Sequence, residues 1–199
     1  MTPRASAGGR GDGGTGGEGK PPRPRPVRTH VRAGRPRDAA ALAELGARTF
    51  REAYGEHTPA DDLEAYITTH YSPAAQAEEL AADDQAVFVA ERGGASIGFA
   101  LLGEREAAPA CVPGERPIQL ERIYVARDVW RTGAGTALLN ACLVEARRRG
   151  ADTLWLTAWS ENARALAFYR RHGFTRVGTH PFRLGTLVFL DPVLARAVE

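Results

Sequence analysis

The sequence predicts one α/β domain in which strands and helices are interleaved along the chain. Its 199 residues are enough for one well-packed domain and too few for two of ordinary size. Hydrophobic residues make up 43% and charged residues 25%, which is usual for a globular protein. Apolar residues recur with a period of two in some segments and of about 3.6 in others, without an internal repeat. This mixture favours a fold built around a central sheet.

The first 28 residues differ in composition from the rest of the chain. Residues 1–20 contain eight glycines, and residues 21–26 contain four prolines. Almost none of these side chains suits a hydrophobic core. We therefore expect a disordered tail over residues 1–28 and a folded domain over residues 29–199.

One strand and three helices are expected in the first part of the domain. The alternation over residues 27–31 predicts the strand. Pro36 suits the first position of a helix that continues at helical spacing to Phe50. Thr58 and Ser72 each place a capping hydroxyl directly before a proline, and this pattern predicts two more short helices.

The rest of the chain is expected to complete the sheet and to add two helices. Gly93 and Gly94 form the turn of a hairpin between strands near residues 87–89 and 97–102. A helix with leucines on one face ends near Gly150. The other elements are strands over residues 118–125 and 153–159, a helix over residues 161–172, and strands around residues 174–177 and 186–190.

Several classes of function are disfavoured by composition. No window approaches 18 consecutive apolar residues and no apolar run follows the basic N-terminus, so we expect a cytoplasmic protein without a membrane partner. Of the 26 basic residues 25 are arginine, a compositional bias that gives no reason to expect a nucleic-acid partner. Cys111 and Cys142 are expected to be buried thiols, although one disulfide between them stays open. His57 and His70 lack ligand spacing, so no metal is expected.

A glycine turn follows the strand over residues 118–125 and opens a helix. Gly133 and Gly135 let a ligand approach the backbone, and the helix start directs unpaired N–H groups to the same place. A tight turn with purely structural glycines is the alternative. A dinucleotide fingerprint would need Gly or Ala where the chain has Leu138, and the Gly-Lys-Ser/Thr of a P-loop is absent. If this turn binds a ligand, we expect a phosphate or pyrophosphate, bound by neither of these two motifs.

The strand before the turn changes its alternation. Ile118 and Leu120 are in one phase, and Ile123 and Val125 are in the other. Either the strand is buried on both faces, or it contains a β-bulge that turns backbone groups outward, where an extended ligand with amide groups would bind.

Two segments together resemble the GNAT superfamily of acetyl-CoA-dependent N-acetyltransferases. Residues 119–139 are similar to its pyrophosphate loop, written Gln/Arg-x-x-Gly-x-Gly/Ala, although Trp130 stands where Gln or Arg is usual and Arg131 where Gly is common. Residues 159–174 are similar to its helix with Asn, six residues and Tyr, closed by Gly-Phe. The resemblance implies an α+β acyl-CoA N-acyltransferase fold with a central mixed, mostly antiparallel sheet flanked by helices.

A narrower resemblance is to the PaiA-like polyamine acetyltransferases. It is carried by residues 49–55, 120–125, 162–169 and 177–185. Because many members of that branch have no assigned substrate, this resemblance says more about the acetyl donor than about the acceptor.

The resemblance implies roles for particular residues. Tyr169 corresponds to the tyrosine beside the sulfur of coenzyme A and would give a proton to the departing thiolate; packing in the core is the alternative. Glu121 is the candidate general base, with an ion pair to Arg122 or another arginine as the alternative. Asn162 would contact pantetheine or only cap its helix. The residues expected to bind the cosubstrate acetyl-CoA are Ile123, Tyr124, Val125, Arg131, Thr132, Gly133, Ala134, Gly135, Thr136, Asn162 and Tyr169.

The acceptor side is indicated by charge. Residues 52–91 contain ten acidic residues and neither Lys nor Arg. In the layout of the family these early helices border the acceptor channel, so an acidic mouth would attract cationic amines. A solvated acidic surface is the alternative. The expected acceptor-binding residues are Glu52, Tyr54 and Glu56.

These observations predict an enzyme that transfers an acetyl group from acetyl-CoA to a primary amine of a small cationic acceptor, by direct attack in a ternary complex. A polyamine is one candidate acceptor. Acetylation of a protein N-terminus or of an antibiotic amine is one alternative, and a non-catalytic acetyl-CoA-binding module is another. The expected partners are acetyl-CoA and the amine, and the sequence leaves open whether the protein is a homodimer.

Overall fold

The computed structural model describes residues 28–103 and 107–199. The expected tail therefore lies outside the described residues, except for Arg28. The strands are β1 (His30–Ala33), β2 (Gln85–Arg92), β3 (Ala95–Gly103), β4 (Pro117–Val125), β5 (Thr153–Thr157), β6 (Thr175–Leu184) and β7 (Leu187–Ala197). The helices are α1 (Ala39–Tyr54), α2 (Ala60–His70), α3 (Pro73–Ala81), α4 (Ala134–Arg148) and α5 (Ala163–Arg171), with single 3-10 turns at Pro36–Asp38 and Arg127–Val129.

The strands form one sheet in the order β1-β2-β3-β4-β5-β7-β6. β4 and β5 run parallel, and the other neighbouring pairs are antiparallel. Successive residues of β4 point to opposite faces: Val125 packs in the cluster that contains Leu138 of α4, and Tyr124 contacts Tyr71 at the end of α2. Helices thus cover both faces. The expected mixed, mostly antiparallel sheet flanked by helices is confirmed.

The two predicted helix caps have different outcomes. Ser72 caps α3 as predicted, because its hydroxyl oxygen accepts a hydrogen bond from the Ala75 N–H at 3.2 Å. The prediction that Thr58 caps α2 is wrong. Pro59 itself occupies the N-cap position, so Thr58 lies one residue outside it, and its hydroxyl is buried without a hydrogen-bond partner.

The last two strands are much longer than the sequence predicts. β6 and β7 form a hairpin around Gly185, which has a φ of 57°. Pro181 interrupts the strand pattern, and proline within a strand normally argues against that assignment. It is tolerated here because β6 is the edge strand of the sheet, where no further strand needs its missing N–H.

The cysteines also differ from expectation. Both thiols are free; Cys142 is buried, whereas Cys111 is exposed, which corrects the expectation that both are buried. Within the described part of the chain, no helix is long and apolar enough to span a membrane. Over the same residues, no three His, Cys, Asp or Glu side chains are placed together to hold a metal ion.

Candidate active site

The sheet opens between its two parallel strands. β4 pairs with β5 only near its beginning, and the register ends at Gln119 opposite Trp155. Beyond that point β4 pairs only with β3, and β5 pairs only with β7. The facing edges of the two strands therefore carry backbone groups without a strand partner, and a gap separates them.

A β-bulge in β4 lies at the start of this gap. Leu102 pairs with Leu120, and Leu101 pairs with Arg122, so Glu121 is an extra residue on β4. Of the two alternatives that the sequence leaves open, the structure has the bulge.

The bulge explains the change of alternation in β4. Ile118 and Leu120 lie before it, Ile123 and Val125 lie after it, and all four belong to the same hydrophobic cluster. The extra residue shifts the side-chain phase by one, so both pairs face the core.

The hydrogen-bonding pattern decides which backbone groups of β4 face the gap. The Ala126 N–H donates to a carbonyl of β3 at 2.9 Å, so Ala126, and by alternation Tyr124, direct their backbone groups toward β3. Ile123 and Val125 consequently direct theirs into the gap, where the Val125 carbonyl accepts a hydrogen bond from the Trp130 indole at 2.7 Å. Both groups of Ile123 and the Val125 N–H remain for an extended ligand with amide groups.

The glycine turn presents an open set of N–H donors. Gly133 has a φ of 89°, and a Cβ placed on it would meet nothing within 4 Å. Gly133 is also the N-cap of α4 and has no side chain that accepts from the first turn. The Ala137 N–H donates to the Gly133 carbonyl at 2.9 Å, so the N–H groups of Ala134, Gly135 and Thr136 precede the helical ladder. Together with the helix dipole they suit an anion.

Arg131 lies in this turn with a backbone conformation that arginine rarely adopts. Its φ is 65°, and among the described residues it is the one non-glycine with a positive φ. The left-handed region destabilises a non-glycine residue by about 1 to 2 kcal/mol, which explains why glycine is common at this position of the motif. The side chain lines the same cavity as those of Arg164 and Arg171, so the wall of this cavity carries positive charge.

Hydrogen bonds hold the turn against its neighbours. The Thr132 hydroxyl donates to the Val129 carbonyl at 2.7 Å. Thr136 Oγ1 lies 3.1 Å from His172 Nε2, and His172 Nδ1 lies 2.8 Å from the Phe168 carbonyl. A carbonyl only accepts, so Nδ1 carries a proton. The contact between Nε2 and Thr136 connects α4 to the end of α5.

The two motif residues of α5 have different surroundings. Tyr169 is 7% exposed, packs against Phe168 and Phe174, and lines the cavity. Burial raises the pKa of its phenol, so the hydroxyl keeps its proton and is a hydrogen-bond donor. Asn162 caps α5, because its Oδ1 accepts from the Ala165 N–H at 3.0 Å. Asn162 therefore has the capping role, which the sequence analysis gave as the alternative to a contact with pantetheine.

Glu121 lies on the cavity wall in a defined position. Its Oε1 accepts a hydrogen bond from Gln85 Nε2 at 3.2 Å. The same oxygen lies against Gly103, where a Cβ would collide with it. Arg122, the alternative partner in the sequence, forms its ion pair with Glu79.

One cavity of about 1720 Å³ is lined by Glu121, Ile123, Gly133, Asn162 and Tyr169 together. One part, the donor half, borders the gap, the glycine turn and α5. The other part, the aromatic half, borders α1, α2 and β6. The aromatic half is lined by the rings of Phe50, Tyr54, Tyr66, Tyr71, Tyr124, Trp159 and Phe182.

The acidic residues of the segment 52–91 do not gather at this cavity. Of the ten, Glu52 is the one that lines it. Four others are held by partners from other segments, in the pairs Asp62 with Thr186, Glu64 with Arg51, Glu79 with Arg122, and Glu91 with Arg32. Three of these four carboxylates are thus paired with arginines away from the cavity. The structure does not form the expected acidic mouth.

The three residues expected to bind the acceptor are separated. Glu52 is exposed and lines the cavity. Tyr54 belongs to the aromatic half, with ring centroids 5.1 Å from Trp159 and 6.0 Å from Phe182, and burial raises the pKa of its phenol. Glu56 is exposed beyond the end of α1 and is not part of the cavity wall.

Sequence reasoning missed a polar group at the base of the aromatic half. The hydroxyls of Tyr71 and Tyr124 lie 2.8 Å apart, and the Arg122 guanidinium lies 5.5 Å from the centre of the Tyr71 ring. Arg122 is ion-paired to Glu79, which also accepts from Gln76 at 3.0 Å. The sequence contains one indication of this group: the alternation after residue 121 places the side chains of residues 122 and 124 on the same face of the strand.

The opened strand pair beside an N–H-rich helix start suits a ligand with amide and phosphate groups, and a family comparison gives the class of protein. The model of the Acetyltransferase (GNAT) family matches residues 41–174. The chain belongs to this family. It is an N-acetyltransferase whose donor is acetyl-CoA.

Individual proteins support the same class. An N-acetyltransferase of Mycobacterium tuberculosis, named as uncharacterized, is 31% identical over 159 residues, which cover 80% of this chain and 97% of that protein. Among solved structures, the PaiA N-acetyltransferase of Thermoplasma acidophilum in complex with coenzyme A has a TM-score of 0.71 at 18% identity and covers 86% of this chain and 99% of its own. At that identity the likeness shows the fold.

The ribosomal-protein-S18-alanine N-acetyltransferase of Escherichia coli is similar in two respects. Its structure has a TM-score of 0.62 at 21% identity and covers 86% of this chain and 95% of its own. In sequence it is 44% identical over 55 residues, which are 28% of this chain and 37% of that protein.

Proposed function

We propose that the protein acetylates a primary amine on a small cationic molecule, with a polyamine as the first candidate. The observation that carries the proposal is the division of one cavity into two chemically different halves. The donor half offers backbone N–H groups, and the aromatic half offers ring faces and a carboxylate. The two substrates would occupy the cavity together, so that the acetyl group passes directly from one to the other.

The donor half fits coenzyme A in its chemistry. The backbone groups of Ile123 and the Val125 N–H would hold the acetyl and pantetheine amides. The N–H groups of residues 134–136 would hold the pyrophosphate, with Arg131 adding a charged donor. Bound acetyl-CoA supplies an activated acetyl thioester. The Ile123 N–H would then stabilise negative charge on the acetyl oxygen.

Two side chains would move protons. Tyr169, protonated because of its burial, donates a proton from Oη to the departing sulfur. Glu121, fixed by Gln85, accepts the proton of the attacking amine through a water molecule. These roles require no covalent link between the enzyme and the acetyl group.

The aromatic half suits the body of a cationic amine. The faces of Tyr54, Tyr66 and Trp159 attract ammonium groups by cation–π interaction, which contributes about 0.5 to 2 kcal/mol per contact. Glu52 adds a negative charge at the wall. Recognition would therefore depend more on ring faces than on carboxylates.

A protein N-terminus is the second candidate acceptor. The observation that favours it is the sequence likeness to the S18-alanine N-acetyltransferase of Escherichia coli. An antibiotic amine is an alternative without such an observation. A non-catalytic acetyl-CoA-binding module is disfavoured by membership of an N-acetyltransferase family.

A substrate panel tests the proposal. Purified protein is mixed with acetyl-CoA and either spermidine, an aminoglycoside or a short peptide with a free N-terminus, and free thiol is measured. We expect turnover with spermidine, and a KM for spermidine raised about threefold by Glu52→Gln but not by Glu56→Gln, because only Glu52 lines the cavity. If only the peptide is acetylated, the proposal of a small cationic acceptor is wrong and a protein N-terminus is the acceptor.

A further inference from the structure

We propose that Trp130 is a positioning residue for acetyl-CoA, which fixes the end of β4, the glycine turn and α5 relative to one another. The inference rests on the proposed placement of acetyl-CoA in the donor half and is independent of which amine accepts the acetyl group. The loop motif usually has Gln or Arg at this position, so the arrangement is a property of this chain.

The first contact of Trp130 fixes the strand that borders the gap. Its indole N–H donates to the Val125 carbonyl at 2.7 Å. Val125 is the last residue of β4, and its backbone faces the gap rather than β3. The indole thus satisfies a carbonyl that no strand satisfies, and it holds the adjacent Val125 N–H in one orientation.

The second contact connects the turn to α5. The Arg164 guanidinium lies 3.2 Å from the centre of the Trp130 ring. Burial and the charge of Arg127 lower the pKa of Arg164, and the charge of Glu52 opposes them. The ring face adds a cation–π attraction to the guanidinium. Arg164 belongs to the first turn of the helix that carries Tyr169. The stack therefore relates the turn to the proposed proton donor.

The third observation concerns strain in the turn itself. Arg131 has a φ of 65°, which its own side chain disfavours. Such a conformation persists only where the surrounding contacts determine it. The Trp130 indole anchors the residue before it, and the Thr132 hydroxyl, bound to the Val129 carbonyl at 2.7 Å, anchors the residue after it.

These contacts fix the separation between the amide-binding edge of β4 and the N–H donors of α4 before any ligand arrives. A preorganised site binds more tightly because less ordering accompanies binding. Loss of the indole N–H should therefore weaken the binding of coenzyme A and leave the chemical step largely intact, since the indole does not touch the reacting atoms.

Three variants separate this role from general effects. Trp130→Phe removes the N–H and keeps a ring face for Arg164. Arg164→Gln removes the stacked cation and keeps the indole hydrogen bond. Arg170→Gln is the matched control, because Arg170 is an exposed arginine of the same helix that is not part of the cavity wall.

Titration calorimetry with coenzyme A, without any amine, gives the primary readout. We expect the Kd to rise about three- to tenfold in the first two variants and to change less than about twofold in the control. In steady-state assays the KM for acetyl-CoA should rise by a similar factor in those two variants, and kcat at saturation should stay within about twofold.

The proposal is overturned if Trp130→Phe and Arg164→Gln bind coenzyme A as tightly as the control, or if kcat falls while Kd and KM stay constant. If Trp130→Phe does not fold, as judged by circular dichroism, Trp130→Tyr, which also lacks the indole N–H and keeps a ring face, takes its place against the same control. Calorimetry contains no amine, so a wrong acceptor leaves this result unaffected. If the unaltered protein does not bind coenzyme A, both the proposed placement of acetyl-CoA in the donor half and this inference are wrong.

Discussion

Tyr169 is almost fully buried and yet lines the cavity, and burial keeps its phenol protonated. Both properties suit a group that delivers a proton. Tyr169→Phe should lower kcat about 100-fold, because a positioned acid contributes on that order, while the packing of the ring is kept. Thiol release measures kcat, and calorimetry with coenzyme A provides the control, which should be unchanged. An unaltered kcat would assign Tyr169 to the core alone.

Glu121 depends on a glycine in the neighbouring strand for its position. A Cβ at Gly103 would occupy the space of the Glu121 carboxylate, which is the flexible end of a side chain. Gly103→Ala should therefore displace the carboxylate with little loss of stability and lower kcat about tenfold or more. The measurement is kcat together with the free energy of unfolding.

The control for Gly103→Ala is the same substitution made in Glu121→Gln. If displacement of Glu121 is the cause, the second background should show little further loss of kcat, because the two changes act on one group. Equal losses in both backgrounds would mean that Gly103 acts through something other than this carboxylate.

The glycine turn is the element on which donor binding depends. Gly133 and Gly94 both have a positive φ, 89° and 83°, and at each a Cβ would meet nothing within 4 Å. Gly133→Ala and Gly94→Ala should therefore lose similar stability, about 1 kcal/mol, from backbone strain alone. Only the first places a methyl group beside the N–H donors of α4.

We accordingly expect Gly133→Ala to weaken coenzyme A binding at least about tenfold and Gly94→Ala to leave it unchanged. Thermal unfolding gives the shared loss of stability, and calorimetry gives the difference in affinity. Equal affinities in the two variants would show that the donors at this turn do not hold the phosphates.

The β4 bulge and the gap illustrate what an element adds to its residues. The phase change between Leu120 and Ile123 is visible in the sequence, but it is compatible with burial on both faces. Only pairing with β3 decides for a bulge. The gap depends on where the pairing of two distant strands ends, at Gln119 opposite Trp155, and no local pattern encodes that point.

Charge has to be considered over the whole molecule. The acidic segment predicted a negative mouth, but three of its carboxylates form ion pairs with arginines of β1, α1 and β4, and Glu52 is the one of its ten that lines the cavity. A pattern along the chain cannot show such pairing, because ion pairs form between segments that are distant in sequence. Elsewhere, hydrogen bonds from Arg148 and Arg149 lower the pKa of Glu145 from its ordinary 4.5 to about 2.

Acid should consequently destabilise the fold. A carboxyl group with a depressed pKa in the folded state stabilises it above the pKa of the unfolded chain, and this contribution is lost as the pH falls from about 4.5 to about 2. The free energy of unfolding, measured with urea, should decline over that window. Glu145→Gln should lower it at pH 7 and flatten the decline, whereas Glu44→Gln, at an exposed site on α1, should do neither.

The sequence by itself determined the order of the elements, the N–H donors of the glycine turn and the family, because these rest on spacing within short segments. The tertiary structure alone decided the gap between β4 and β5, the ion pairs of the acidic residues, and the contacts of Trp130 with Val125 and Arg164. Those features depend on where separate segments meet, and packing of the whole chain sets that distance.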